Sequence, residues 1–206
     1  MAERVGARPP SATTSTVRDG DWYGEDLSGV VHEKVLFHDL DLTESTGNGP
    51  RFVDCTFGGA LVRCASYTDA AFENCTFARC SFFDTSLTGC KFLGSTFDGC
   101  TFDQLRVDGG DWSFVAMPGA DLRRARFAGV RMREADLTGA RCQGAIMTNL
   151  DLSRALLSRA ELSGCDLRGS DLSALDPLSV GVAGAIIDWQ QAVALAGNLG
   201  IDVRPQ

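Results

Sequence analysis

The sequence predicts an all-β fold, a right-handed quadrilateral parallel β-helix that ends in a short C-terminal α-helix. Every fifth residue from Trp22 to Leu172 is apolar or aromatic at 29 of 31 positions, and ten of the twelve Phe lie on this register. The residue two places earlier is usually Ala or Cys, and the other three are mostly Asp, Ser, Thr, Arg or Gly. Helices repeat every 3.6 residues and strands every two, so a period of five indicates a solenoid.

The composition fits a globular protein that does not bind nucleic acid directly. The 206 residues are 44% hydrophobic and 22% charged, with a formal net charge of −8. Such acidity disfavours contact with phosphates. No run of 18 apolar residues and no signal-peptide pattern occurs, so we expect a cytoplasmic protein without membrane contact.

Three segments follow from the pattern. Residues 1–20 are rich in Pro, Ser, Thr and Gly and lack an apolar period, which predicts a disordered N-terminal segment. The β-helix is predicted over residues 21–187. Residues 188–206 are predicted to form a C-terminal helix and tail.

The repeating unit is clearest in Ala120–Arg124 (ADLRR) and Cys165–Gly169 (CDLRG). These units are similar to the A(D/N)LXX consensus of the pentapeptide-repeat family, and the resemblance covers about residues 22–172. It implies that each unit forms one side of a square coil and that four units close a turn of twenty residues. Two residues in five then point inward. Coils about 4.8 Å apart would make a rod of roughly 37 Å.

The cysteines fall on inward positions of this register and are predicted to be core thiols. Two pairs are twenty residues apart, so they should stack near disulfide distance on adjacent coils. We nevertheless favour free thiols, since buried Cys is common in cores, and no CxxC spacing or paired His indicates a metal site. The inward cysteines are Cys55, Cys75, Cys80, Cys90, Cys100 and Cys165 at the small position and Cys142 at the large one.

Three places break the pattern. Thr43–Pro50 puts Gly47 at a central position, which predicts a projecting loop (Ser45, Thr46, Gly47, Asn48); it is either a tolerated defect or a functional loop. Leu105–Trp112 predicts a distorted coil or bulge. Pro177 cannot donate to a coil-to-coil hydrogen bond, which predicts a break.

The C-terminal segment carries a helix signature. Asp188–Gln191 resembles a capping box, and Gly200 follows the last residue of an apolar stripe. The stripe must pack on the end of the solenoid, on a second chain, or on both, because so short a helix is unstable alone. It consists of Trp189, Ala192, Val193, Ala196 and Leu199, and Ile201 extends it.

The order of these parts resembles the MfpA/Qnr fluoroquinolone-resistance proteins within the family. That resemblance implies a homodimer joined through the C-terminal helix, forming a rod with the size and acidity of DNA. Such a rod would bind DNA gyrase, a type II topoisomerase, compete with DNA, and protect the enzyme from fluoroquinolones. The alternative is a non-catalytic scaffold for a different protein partner.

The acidity is uneven along the chain. Residues 21–111 contain 15 acidic and 6 basic residues, whereas residues 112–172 contain 7 acidic and 9 basic ones. If a topoisomerase recognises negative charge, it should bind the more acidic residues 21–111. The alternative is that these acidic residues are ordinary solvated surface, which any soluble solenoid needs. The candidate residues are Asp39, Asp41, Glu44, Asp54, Asp69, Glu73, Asp84, Asp98, Asp103, Asp108 and Asp111.

Catalysis is not expected. The two histidines are His32 and His38, and His32 falls on an inward position. The sequence contains no nucleophile elbow, phosphate-binding glycine loop or metal motif, so we predict no enzyme activity, no cofactor and no metal.

Overall fold

The computed structural model describes residues 11–204 as a parallel β-solenoid followed by one helix. The strands are short, mostly three residues, because each spans one side of a coil. They are β1 (Ser15–Arg18), β2 (Val31–Glu33), β3 (Val35–His38), β4 (Thr46–Asn48), β5 (Arg51–Val53), β6 (Thr56–Gly58), β7 (Ser66–Thr68), β8 (Ala71–Glu73), β9 (Thr76–Ala78), β10 (Ser86–Thr88), β11 (Thr96–Asp98), β12 (Arg106–Asp108), β13 (Arg126–Ala128) and β14 (Ile146–Thr148). Helix α1 spans Trp189–Asn198.

Four faces run along the solenoid. We name three of them by their sheets: face A (β1, β3, β6, β9, β11), face B (β4, β7, β10, β12, β13, β14) and face C (β2, β5, β8). Face D is built from isolated bridges such as Asp21↔Asp41 and Leu61↔Ser81. All pairing is parallel and joins residues twenty apart, for example Phe57↔Phe77, which confirms the predicted turn of four units.

The core consists of columns of stacked side chains, as the register predicts. Phe57 stacks on Phe77 and Phe77 on Phe97 with ring centroids 4.9 Å apart, and Phe72 meets Phe77 edge-on at 5.8 Å. Offset-stacked and edge-on aromatic pairs each add about 0.5–1.5 kcal/mol beyond the area that they bury. The cross-section is therefore filled by large rings from four sides, with Ala and Cys fitting between them.

The corners explain why Gly, Asp and Asn are frequent two residues after the large apolar position. Backbones there have φ near +50° to +75°, a region that Gly, Asn and Asp tolerate best. At Gly89 (φ +65°) a Cβ atom would lie 2.4 Å from the Asp69 carboxylate of the preceding coil. Glycine suits this corner because it adopts the positive φ without strain and leaves room for the acidic side chain.

The solenoid begins earlier than predicted. Strand β1 pairs with β3 from Ser15 to Arg18, and the Thr14 amide donates to the Lys34 carbonyl at 2.7 Å. The prediction of disorder is therefore wrong for residues 15–20. Polar composition hid this quarter-turn, which adds Val17 to the edge of the core. Residues 1–10 lie outside the described residues.

The loop predicted at 43–50 is wrong. Thr46–Asn48 is strand β4, paired with β7, and Ser45 and Pro50 are buried. The Pro50 ring occupies the space next to Gly47, since it would lie 3.2 Å from a Cβ atom there. Tyr67, which pairs with Gly47, is hydrogen-bonded through its hydroxyl group to Ser45. The register therefore continues through a glycine without a projecting loop.

The bulge predicted at 105–112 is also wrong. Arg106–Asp108 is strand β12, in register with both neighbouring coils. The irregularity is confined to Gly110 (φ +94°), where a Cβ atom would lie 2.0 Å from the Cys90 carbonyl oxygen. Glycine lets this coil pass close to the preceding backbone.

The ladder is interrupted on face A at Pro177. Residues 177–179 form a turn in which the Leu178 amide donates to the Asp176 carboxylate at 3.0 Å. The Gly181 amide then donates to the Ala160 carbonyl at 2.9 Å, so the coil pairing resumes. No helix among the described residues is long and apolar enough to cross a membrane.

Candidate functional site

The eleven acidic candidates do not form one patch; the structure distributes them over all four faces. Each face carries at least two of them, so negative charge surrounds the solenoid rather than marking one side. By chain position they lie on face A (Asp39, Asp98), face B (Asp69, Asp108), face C (Asp54, Glu73, Asp111) and face D (Asp41, Glu44, Asp84, Asp103).

Several of these acidic residues are neutralised by a basic side chain on an adjacent coil. The ion pairs are Glu73–Arg51 (3.2 Å), Asp84–Arg106 (2.7 Å), Asp103–Arg124 (3.0 Å) and Asp111–Arg131 (3.0 Å). Asp39 instead contacts the ring of its chain neighbour His38 at 2.7 Å, which is an ion pair only when that histidine is protonated. Within residues 11–204, six candidates make no ion pair: Asp41, Glu44, Asp54, Asp69, Asp98 and Asp108. These six are the carboxylates free to attract a cationic partner surface.

Most basic residues of the C-terminal half are similarly engaged; within residues 11–204, Arg126 and Arg159 are the two of residues 112–172 that make no ion pair. Asp121 accepts two hydrogen bonds from the Arg123 guanidinium, at 2.9 and 2.7 Å, and one from Arg141 at 2.9 Å. The hydrogen bond from Arg123 is the main reason that the pKa of Asp121 falls to about 2, and the charge of Arg141 adds to it. Arg133 pairs with Asp151 at 3.7 Å. This half therefore presents balanced charge rather than a free basic surface.

Sequence reasoning missed an opening in face D. Bridges run from Asp21 to Thr101 and resume at Asp121↔Arg141, but no bridge joins Thr101 to Asp121 among the described residues. Pro118, which has no N–H to donate, lies where the two coils separate. A groove of about 810 Å³ opens there, lined partly by Arg124 and Arg141. In the sequence, Pro118 was the residue that could have predicted this opening.

Helix α1 docks on the end of the solenoid through polar side chains. The predicted capping box is present: Asp188 accepts from the Gln191 amide at 2.9 Å, and Gln191 accepts from the Asp188 amide at 2.8 Å. The buried Gln191 amide group donates to the Leu167 and Ser170 carbonyls at 2.7 Å each. Asn198 donates to the Leu175 carbonyl at 2.9 Å. These bonds satisfy carbonyl groups of the last coil that no further coil can reach.

Most of the apolar stripe consequently faces outward, and of its residues only Ala196 is partly buried. Trp189 is 75% exposed, and Leu178, in the turn after Pro177, is 86% exposed. Only Leu195 and Ala196 of the helix are partly buried apolar residues. The described apolar side chains left open at this end are Leu178, Ile186, Trp189, Val193, Leu199, Ile201 and Val203, which we call the C-terminal apolar patch. Ala192 is also exposed. Exposed apolar area of this kind marks a binding surface.

Seven of the eight cysteines and His32 pack in the core, whereas Cys64 lies exposed at a corner. All eight cysteines are free thiols, and those predicted to face inward are buried, except that Cys100 is half-buried. Burial raises the pKa of Cys90 to about 11, which keeps it protonated. His32 stacks between Trp22 and Phe52, each 5.6 Å away, and burial lowers its pKa. In residues 11–204 no cluster of three or more His, Cys, Asp or Glu is placed to hold a metal ion.

Comparison with known proteins identifies the repeat and the fold. The family model for pentapeptide repeats matches eight copies over residues 68–104, 113–141 and 135–173. The chain is similar to full-length QnrB1, a plasmid-mediated fluoroquinolone-resistance protein, with a TM-score of 0.59 and 20% identity over 93% of this chain and 100% of that one. A trypsin-treated QnrB1 variant gives a TM-score of 0.62 and 22% identity over 94% and 98%.

A more distant similarity is to HetL, a pentapeptide repeat protein involved in heterocyst differentiation regulation from the cyanobacterium Nostoc sp. strain PCC 7120. The TM-score is 0.45 and the identity 19%, over 85% of each chain. No curated protein matches the sequence significantly.

Proposed function

Because this chain is a pentapeptide-repeat protein with the fold of QnrB1, we propose that it binds DNA gyrase, competes with DNA for the enzyme and protects it from fluoroquinolones. The observation that carries the proposal is acidic charge on all four faces of a solenoid, with carboxylates at Asp69, Asp98 and Asp108 that make no ion pair within residues 11–204. A duplex likewise presents negative charge on every side. The role is binding rather than catalysis, and a gyrase partner would place the protein in the cytoplasm.

We propose that the C-terminal apolar patch binds the same patch on a second copy of this chain. The polar side chains of the helix cap the solenoid of the same chain, and Trp189 and Leu199 remain exposed. The same patch on a copy would extend the rod end to end. Two rods of roughly 37 Å would reach about 75 Å, the length of about 22 base pairs at 3.4 Å per step.

Gyrase supercoiling and fluoroquinolone-induced cleavage assays test the main proposal with the full chain. The protein should inhibit supercoiling and reduce cleavage complexes, and added linear DNA should raise the amount of protein that is needed. A protein that leaves supercoiling and cleavage unchanged at tens of micromolar with several gyrases would refute it. A scaffold for a different protein partner would then be the better interpretation.

The role of charge is tested with a matched pair of double variants. Asp98→Lys with Asp108→Lys changes the acidic part, and Asp136→Lys with Asp171→Lys makes the same change in net charge elsewhere. The first should weaken gyrase inhibition more strongly, and more at low salt than at high salt, because exposed charges are screened. If both double variants weaken gyrase inhibition equally, net charge alone explains the effect and the position of the acidic residues does not matter.

The dimer is tested by light scattering. Trp189→Glu should give monomers without loss of folding, since this side chain is 75% exposed. Removing residues 188–206 should do the same. A dimer that survives both changes would place the interface elsewhere.

A further inference from the structure

Two cysteines stack on adjacent coils beside the groove in face D. Cys80 and Cys100 lie just after the paired strands β9 and β11, and a bridge of face D follows them, so the two residues are in register. The Cys80 Sγ atom lies 3.3 Å from the Phe57 carbonyl oxygen. In the same way, the Cys100 Sγ atom lies 3.4 Å from the Phe77 carbonyl oxygen. The two sulfur atoms therefore occupy equivalent sites one coil spacing apart, about 4.8 Å.

The groove uncovers the second of these thiols. The Thr101 amide donates to the Cys80 carbonyl at 3.0 Å, which closes the ladder over Cys80. The equivalent hydrogen bond from the Asp121 amide to the Cys100 carbonyl is missing in residues 11–204. Cys100 lines the groove and is half-buried, whereas Cys80 is 1% exposed. Small solutes can therefore reach Cys100 through the groove but cannot reach Cys80 directly.

The same opening gives the coil of Cys100 room to move. A disulfide bond needs the two Cβ atoms about 3.5–4.5 Å apart, slightly closer than the coil spacing of about 4.8 Å. Elsewhere a coil is held at this spacing by hydrogen bonds to both of its neighbours. After Cys100, the amides of Phe102 and Gln104 make no hydrogen bond to the following coil among the described residues. This segment is therefore free to shift towards Cys80.

A second stacked pair, Cys55 and Cys75, has the same spacing but no opening. The paired strands β6 and β9 follow these residues in register, and both side chains are 1% exposed. The next coil covers Cys75, whose amide donates to the Ser95 hydroxyl oxygen at 2.9 Å. Hydrogen bonding between the two thiols lowers the pKa of Cys55 to about 7, and the same cause lowers the pKa of Cys100. Access, rather than acidity, is what separates the two pairs.

We propose that Cys100 is a site of reversible oxidation, which a hydroperoxide entering the groove converts to a disulfide bond with Cys80. The Cys100 thiolate attacks the peroxide, the O–O bond breaks, and a sulfenic acid forms with release of hydroxide. The Cys80 thiol then attacks the sulfenic sulfur, the S–S bond forms, and the S–O bond breaks with loss of water. Overall, two thiols and hydrogen peroxide give one disulfide and two water molecules. A thiol reductant reverses the oxidation by exchange.

Peptide mass spectrometry of the full chain tests this assignment. Cys64→Ser removes the exposed thiol that could otherwise cross-link two molecules. The native protein is treated with hydrogen peroxide, alkylated, and digested with trypsin without reduction. Trypsin places the two cysteines in separate peptides, residues 80–91 and 92–106, and fragmentation distinguishes Cys80 from Cys90.

The link between Cys80 and Cys100 should form at least tenfold faster than the link between Cys55 and Cys75, and dithiothreitol should remove it. The buried pair in the same molecule is the matched control. Cys80→Ala should leave Cys100 as a sulfenic acid that dimedone labels. This variant should fold, because alanine fills the same position in the coils on either side of the pair.

Three outcomes would overturn the oxidation site. Equal rates for the two cysteine pairs would show that the groove does not control access. Reduced Cys80 and Cys100 under conditions that oxidise Cys64 of the wild-type chain would do so as well. A link that forms only in urea would assign the reaction to the unfolded chain. None of these measurements involves gyrase, so their failure leaves the proposed function intact.

Discussion

Gln191→Ala should release helix α1 from the solenoid while leaving the coils folded. The side chain is 7% exposed and makes three hydrogen bonds, of 2.7, 2.7 and 2.8 Å, to the last coil and to the helix start. A typical hydrogen bond contributes about 0.5–1.5 kcal/mol net. Undocking lets water replace the lost partners, so we expect the lower part of the summed range, about 2 kcal/mol. That value corresponds to about a thirtyfold shift in the docking equilibrium.

Hydrogen exchange measures this shift locally. Amide protection in Trp189–Asn198 should fall by about thirtyfold, whereas protection in the central coils should not change, because a repeat contacts only its neighbours. Gln190→Ala is the matched control, since Gln190 is exposed in the same helix turn. The dimer should weaken in parallel. Unchanged protection of the helix in Gln191→Ala would refute the idea that polar capping, rather than the apolar stripe, docks it.

Three further changes test the core, a corner and a charge cluster. Phe77→Ala should cost about 3–5 kcal/mol in urea unfolding, since the ring is buried and stacked on both sides; a loss below about 2 kcal/mol would contradict the column packing. Gly110→Ala should aggregate or lose much more stability than Gly109→Ala, because of these two glycines only Gly110 would place a Cβ atom against backbone. For Gly109→Ala we expect a loss of about 1 kcal/mol from backbone strain alone. The pKa of Asp121 is about 2 in the folded chain and about 3.9 when unfolded, so its stabilising effect is complete above about pH 4 and is lost as the pH falls towards 2. Thermal melts should therefore show that Asp121→Asn flattens the acid side of the stability profile; identical slopes for both proteins would disprove the assignment.

The five-residue register was sufficient to predict the solenoid, because inward and outward positions alternate locally along the chain. Phe57 and Phe77 could be assigned to one column without coordinates, and so could the stacked cysteines. The same reasoning failed at Gly47, where it treated a missing side chain as a loop. In the structure Pro50 and Tyr67 compensate from other units, and such compensation is invisible to a local pattern.

Less of the candidate site could be predicted from the sequence. The pattern identified the acidic residues and the apolar stripe, but not the side chains that contact them. Pairs such as Asp84–Arg106 join adjacent coils and remove charge that a count of residues leaves in place. The stripe on helix α1 was predicted correctly as apolar, yet only the tertiary structure shows that Gln191 docks the helix and leaves Trp189 free.

By itself, the sequence determined the period, the inward columns and the end of the solenoid, since these depend on side-chain size and backbone preference within a few residues. The tertiary structure decided which charges are free, where the ladder opens beside Pro118, and which side chains remain exposed. Those properties depend on contacts between residues twenty or more positions apart, and such contacts exist only once the coils have stacked.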